Sequence, residues 1–319
     1  MNTAANALPD TLRVIERGWL SANTVVAFDE NRITLIDSGY HTHTHLLQAA
    51  LHSLIGEQRV DALYNTHLHS DHCGGNAWLA QHYAGITISI PQSAAGADPQ
   101  AQGEKTHILD DPQTQDSYGS VGQTCPAFSH TAVHGDGDIL QWGGLEWRTI
   151  ASPGHDNHSV IFFNDEHRIL FSADALWENG FGALFPLIEG FDAIGDQCRT
   201  LDLIESLGVR IVIPGHGSVF TEVNRALDVA RSRIASFIEK PERTLHNTFR
   251  VLMKFNLLEW QRLPWSEYRQ RYARFGAIER LAAQVLPAQT DLLDVADKVA
   301  DALVKAGAAR WEGGYLVNA

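Results

Sequence analysis

Thr66-His67-Leu68-His69-Ser70-Asp71-His72-Cys73-Gly74-Gly75 places three histidines and an aspartate within six positions, directly behind the apolar run Ala62-Leu63-Tyr64-Asn65. That run reads as a short buried strand, and the helix-prone Asn76-Ala77-Trp78-Leu79-Ala80 follows the two glycines. The four polar groups therefore fall where a strand ends and a helix begins. Imidazole and carboxylate suit zinc, manganese or iron. A loop can turn His67 and His69 to one side and aim Asp71 and His72 elsewhere. A rigid helix could not, because only positions three or four apart share a helical face. The stretch reads as a two-metal loop, with Gly74 and Gly75 allowing a tight turn and a close backbone approach.

Two later stretches repeat one pattern. Pro153-Gly154-His155 follows the apolar run Leu145–Ala151, and Pro214-Gly215-His216-Gly217 follows Val209–Ile213. Pro-Gly at a strand end fixes a sharp turn and leaves the histidine projecting from a rigid base. Asp174 follows Ile169-Leu170-Phe171, so its carboxylate is expected at a buried strand end, where an unpaired charge is costly and a metal would compensate it. The resulting set is His67, His69 and His155 for one ion and Asp71, His72 and His216 for the other, with Asp174 able to bridge. Two divalent ions about 3.5–4 Å apart bring the pKa of a bridging water toward neutrality, and the hydroxide attacks a carbonyl or phosphoryl centre. Asp71 is the candidate to orient that hydroxide and shuttle its proton. Hydrolysis without a covalent intermediate is the reaction expected.

The bulk properties narrow the class. A chain of 319 residues with 44% hydrophobic content can bury a full core. A formal charge of −14 disfavours a phosphate-backbone partner. Met1–Asp10 has neither a basic flank nor an apolar run, and no segment is long enough to span a bilayer. Cys73, Cys125 and Cys198 are unpaired in number and spacing, which fits a reducing compartment. The expectation is a cytoplasmic protein with a small-molecule substrate and no nucleic-acid or membrane partner; a homodimer is compatible.

Along the chain, Leu12–Ile15, Asn23–Phe28 and Arg32–Ile36 read as strands, the last ending in Asp37-Ser38-Gly39. Asp37 is either a turn or cap residue or a brace for the nearby site. Thr42–Ile55 reads as a helix; His41, His43, His45 and His52 lack an accompanying carboxylate and read as surface or packing residues. After the strand Ile86–Ile90, residues 92 to 130 read as a long insertion with some helix, a lid candidate in which Asp110-Asp111-Pro112 falls. His107, His130 and His134 are expected to be solvated. Ile139–Trp142 with Leu145–Ala151, and Val160–Asn164 with Arg168–Ser172, read as hairpins. Trp177 to Phe191 fits neither helix nor strand; it reads either as an apolar pocket wall built on Trp177, Phe181 and Phe185, or as a core-packing loop. Beyond residue 225 the pattern is helical, closing on a Gly313-Gly314 hairpin.

Taken together, Thr66–His72, Pro153-Gly154-His155, Ser172-Ala173-Asp174 and Pro214–Gly217 resemble the metallo-β-lactamase fold superfamily, closest in motif to its glyoxalase II-like hydrolases. The resemblance implies an α/β fold, an αββα sandwich with the metals at one edge of two sheets, and a mainly helical C-terminal extension. It implies a hydrolase domain over 1–224, a winged-helix-like domain over 225–319, the same seven ligands, zinc as the first choice of metal with manganese or iron as alternatives, and a supporting role for Asp37 behind the ligands. β-Lactamases of this fold lack the counterpart of Asp174, so antibiotic hydrolysis is not expected. The Lys/Arg motif that holds glutathione in glyoxalase II is not evident here. The expected activity is hydrolysis of an ester, thioester or lactone; phosphodiester hydrolysis and a metal-binding sensor without turnover are the alternatives.

Overall fold

A computed structural model describes residues 7–18, 21–97, 125–185 and 192–319. The expected features at 98–124 and 186–191, including His107, Asp110 to Pro112 and the end of the aromatic stretch, lie outside these residues.

One sheet of six strands follows chain order: β1 (Leu12–Ile15), β2 (Thr24–Asp29), β3 (Arg32–Ile36), β4 (Ala62–Tyr64), β5 (Thr87–Pro91) and β6 (Ala132–His134). The first three strands pair antiparallel and β3 to β6 pair parallel. A second sheet runs β11 (Ile211–Pro214), β10 (Ile169–Ala173), β9 (Val160–Asn164), β8 (Leu145–Ala151), β7 (Ile139–Trp142). Here β10 and β11 are parallel, and β9 is antiparallel to both β8 and β10. So β8, β10 and β11 all run the same way, and their C-terminal ends come to one edge.

Strand alternation separates two apolar layers. Val25, Ala27 and Ile36 of the first sheet pack with Trp142, Trp147, Phe162, Phe171 and Ile213 of the second, forming the layer between the sheets. The intervening residues Val26, Ile33 and Leu35 face the other way, against Leu47, Leu51 and Ile55 of α1 (Thr44–Ile55) and Leu79 of α3 (Asn76–His82). On the second sheet the alternate residues Ile161, Phe163, Leu170 and Val212 are also fully buried, so this sheet too is covered on both faces. The fold is an αββα sandwich.

Three local differences from the sequence expectation have physical causes. Ser70–Cys73 is a single helical turn (α2), so Asp71 and His72 stand on helix while His67 precedes it in the loop and His69 caps it from extended backbone. Gly74 has helical torsions, with φ −61°. What it provides is space, because a Cβ there would lie 2.5 Å from His41 N and Ser70 O. Strand β6 lies just past the expected insertion, where no strand is read from the sequence, and its His134 is 1% exposed rather than solvated. The imidazole is held by Ser89 Oγ at 2.8 Å and the Asn65 carbonyl at 3.1 Å.

Helix α4 (Gln92–Ala97) follows β5, α5 (Ala193–Ser206) precedes β11, and α6 (Val223–Glu239) continues unbroken through the 224/225 boundary. The contact-dense units change over between Ile234 and Ala235. The second unit carries α7 (Pro241–Trp260), α8 (Trp265–Ala273), α9 (Gly276–Val285), α10 (Leu292–Lys305) and a sheet ordered β12 (Arg262–Pro264), β14 (Tyr315–Asn318), β13 (Ala309–Glu312). Pro241, which reads as punctuation, instead opens α7, where its missing N–H costs nothing. Gly313 and Gly314, with φ 52° and 82°, make the two-residue hairpin turn. No described helix is long and apolar enough to cross a membrane.

Candidate metal centre

Every predicted ligand leaves the C-terminal end of a strand. His67, His69, Asp71 and His72 follow β4; His155 follows β8, Asp174 follows β10 and His216 follows β11. They form two groups whose ligand atoms lie within 4.8 Å of one another: His67, His69 and His155, and Asp71, His72, Asp174 and His216.

Hydrogen-bond bookkeeping fixes which nitrogen each ring offers. Thr66 Oγ1 donates to Asp37 Oδ2 at 2.8 Å, so it accepts from His67 Nδ1 at 3.0 Å, and His67 Nε2 carries a lone pair. His155 Nδ1 donates to the Ala183 carbonyl at 2.6 Å, which leaves Nε2 as a lone pair as well. Both Nε2 atoms face His69 Nδ1, at 3.0 and 2.8 Å. That nitrogen carries at most one proton and cannot satisfy both neighbours. A cation between the three rings satisfies all of them.

The second group shows the same fit. His72 Nδ1 donates to Asp37 Oδ2 at 2.8 Å, with both side chains fully buried. Its Nε2 is buried and has no partner in hydrogen-bonding geometry among the described residues. It lies 3.3 Å from Asp174 Oδ1 and 3.8 Å from Asp71 Oδ2. His216 Nε2 is 3.0 Å from Asp71 Oδ2. Asp174 touches both groups, since its other oxygen is 3.3 Å from His155 Nε2. Imidazole and carboxylate at this spacing fit a divalent ion in each group.

Electrostatics follow from the same contacts. Burial, then the neighbouring imidazoles, hold His67 well below the usual histidine range. Burial alone would raise the Asp71 and Asp174 carboxyls, but His72 and His216 outweigh it and hold both below the usual carboxylate range. His72 goes the other way: burial opposes protonation, and the carboxylates of Asp174, Asp37 and Asp71 together raise it. The carboxylates demand positive charge at the centre of the group, and a divalent cation meets that demand while leaving Nε2 as a ligand.

Backbone devices aim the carboxylate. Ala173 has φ 46°, and the β10–β11 register shifts between Phe171 and Ala173, which turns Asp174 out of the strand. Gly215 N donates to the Ala173 carbonyl at 2.7 Å, and a Cβ on Gly215 would overlap Asp174 Oδ1. Asn23 Nδ2 holds the far side of that turn through the Pro214 and Gly217 carbonyls, at 3.0 and 2.7 Å.

Asp37, from a left-handed backbone with φ 57°, accepts from Thr66 N, Thr66 Oγ1 and His72 Nδ1, which ties it to the ligand loop. Cys73 donates to the Leu68 carbonyl at 3.3 Å and lies 3.5 Å from Cys125 Sγ. Contact with Cys125, then burial, raises its thiol well above the usual range, so it packs beneath the loop. Of the expected pocket aromatics, Trp177 reaches the site, with its Nε1 3.2 Å from Asp174 Oδ1 and its ring 5.2 Å from that of His216. Phe181 is fully buried beneath the Arg233 guanidinium, 4.6 Å from its ring centre, and Phe185 is 6% exposed. His43 Nδ1 lies 3.0 Å from Ser21 Oγ. Sequence alone assigns no role to Thr66, Asp156 or the Ala183 carbonyl. Asp156 stands 3.8 Å from His69 Nε2, and its position one residue after Pro-Gly-His was the available signal.

A two-sheet sandwich with imidazole and carboxylate clusters at the carboxyl ends of its strands defines a protein built around a candidate metal centre. The chain belongs to the metallo-beta-lactamase superfamily, whose sequence profile matches residues 17–216. It is 25% identical over 158 residues to an acyl-coenzyme A thioesterase, MBLAC2, of Gallus gallus, covering 49% of this chain and 56% of that protein. It is 30% identical over 161 residues to a hydroxyacylglutathione hydrolase of Salmonella paratyphi C (strain RKS4594), covering 50% of this chain and 49% of the other. The chain thus spans about half the length of the curated relatives it matches. The BLEG-1 B3 metallo-beta-lactamase shares the fold at TM-score 0.53 and 21% identity, over 68% of this chain and 96% of that one. A metallo-beta-lactamase family protein of Thermus thermophilus does so at TM-score 0.52 and 17% identity, over 97% and 98%.

Proposed function

We propose that the chain is a dinuclear metal hydrolase that cleaves an acyl group from a thioester or related ester, with His67, His69 and His155 holding one ion, Asp71, His72 and His216 the other, and Asp174 between them. What carries the reading is the set of Nε2 lone pairs on His67, His72 and His155, each fixed by a bond at the opposite ring nitrogen and turned inward. Two divalent ions, zinc first, would supply Lewis-acid chemistry there, activating water and polarising a carbonyl. Asp37 and the Ala183 carbonyl orient their rings. Asp71, at the cluster's more exposed side with 22% of its side chain accessible, is placed to hold and pass a proton. Trp177 presents an indole edge beside His216 against which an acyl group can lie. The thioester preference draws on relatives named for cleaving acyl groups from coenzyme A and glutathione.

Elemental analysis and a substrate panel test this reading. Two equivalents of metal and turnover of acyl thioesters above p-nitrophenyl esters, lactones and bis-p-nitrophenyl phosphate are expected, with His69→Ala lowering kcat/KM by roughly a thousandfold. Metal bound with unchanged activity in His69→Ala, or no turnover at all, sinks the hydrolase reading in favour of a metal-binding sensor. Preferential cleavage of the phosphodiester would move the substrate class.

A further inference from the structure

The second unit holds a cavity of about 620 Å³ that no part of the hydrolytic chemistry calls on. Phe249, Leu286, Val295 and Val299 give it an apolar lining. Its charged lining residues are Arg250 and Lys298, His246 stands beside them, and among the described residues no carboxylate lines it. The absence counts for more in a chain with 38 acidic residues against 24 Lys and Arg. Arg250 Nε is buried without a hydrogen-bond partner among the described residues. An unsatisfied buried donor costs about 1–3 kcal/mol, and more when charged, and an oxyanion at the guanidinium that carries it offsets part of that cost. A larger cavity of about 850 Å³ beside Trp265 differs on both counts: Asp291 lines it, and its Arg269 is already paired with Asp297 at 2.7 Å.

Hydrocarbon walls with a cationic group select an anionic amphiphile. A nucleotide or free phosphate would leave the apolar walls wet, and a neutral hydrocarbon would leave the guanidinium unmet. We propose that this cavity binds an unbranched fatty acid as its carboxylate, the head on Arg250 and Lys298 and the chain along Phe249, Val295 and Val299. Such a site stands whether or not the metal centre hydrolyses thioesters.

Calorimetric titration of the metal-loaded 319-residue chain with dodecanoate, dodecanol and inorganic phosphate tests it. Saturable one-to-one binding of dodecanoate is expected, with dodecanol and phosphate at least roughly tenfold weaker. Arg250→Gln should weaken dodecanoate roughly tenfold, and Val299→Trp should remove binding by filling the cavity. His69→Ala should leave it intact, which separates this site from carboxylate bound at the metals. Circular dichroism and melting of each variant establish that it is folded. Equal affinity for dodecanol, undiminished binding in both Arg250→Gln and Val299→Trp, or loss of binding in His69→Ala overturns the proposal.

Discussion

Asp37 shows how much one side chain can decide. Its carboxylate accepts from Thr66 N and Thr66 Oγ1 and from His72 Nδ1, so one residue orients the rings of both groups: His72 directly and His67 through the threonine hydroxyl. Partners of this kind typically contribute 10- to 100-fold in metal affinity, roughly 1.4–2.8 kcal/mol. Asp37→Asn keeps the size and tolerates the left-handed backbone, yet it removes the charge and places an amide where an acceptor is required. We expect metal titration of this variant to show affinity lowered by about that factor with the fold retained. Unchanged affinity would mean that the ligands are held without it. Local sequence left Asp37 open between turn and brace, because a lone acid before Ser-Gly looks the same in either role; its partners lie 29 and 35 residues further along.

The elements were legible where period and punctuation agreed, as in the β7–β8 hairpin with its Gly-Gly turn and in α1 with Leu47, Leu51 and Ile55 on one face. Strand β6 was not, because three residues between polar neighbours carry too little alternation to signal a sheet edge. That strand buries His134, and burial lowers its imidazole to about 4, with the Asn65 carbonyl and Asp138 opposing. The unfolded chain takes up the proton near pH 6.5 while the native chain resists it. Stability tied to neutral His134 is therefore complete above that pH and is lost as the pH falls toward 4. Between pH 7 and 4.5 the native protein should lose about 2.5 kcal/mol more than His134→Gln, measured by urea unfolding of both at each pH. Parallel pH dependence of the two would show that His134 is not the group responsible. The site was more legible than its supports: His155 and His216 announce themselves after Pro-Gly, whereas the Ala183 carbonyl that orients His155 is backbone, and no residue type marks it.

For the molecule as a whole, the ligands join two sheets. The loop after β4 belongs to the first, and the ends of β8, β10 and β11 belong to the second. An ion bound only by the native arrangement stabilises it by about 2.7 kcal/mol when free metal stands at 100 times its dissociation constant. Stripping with a chelator should lower the melting temperature by several degrees, and adding metal back should restore it. A melting temperature indifferent to chelator would show that the sandwich is held by its apolar layers alone. The same arrangement sets an order of events in the cell. His155 follows β8 and His216 follows β11, so in a nascent chain the ligands of the first group are all made well before the second group gains its last one. The two groups therefore fill in sequence, and a chain truncated before Ile211 would carry every ligand of the first group with no means of completing the second.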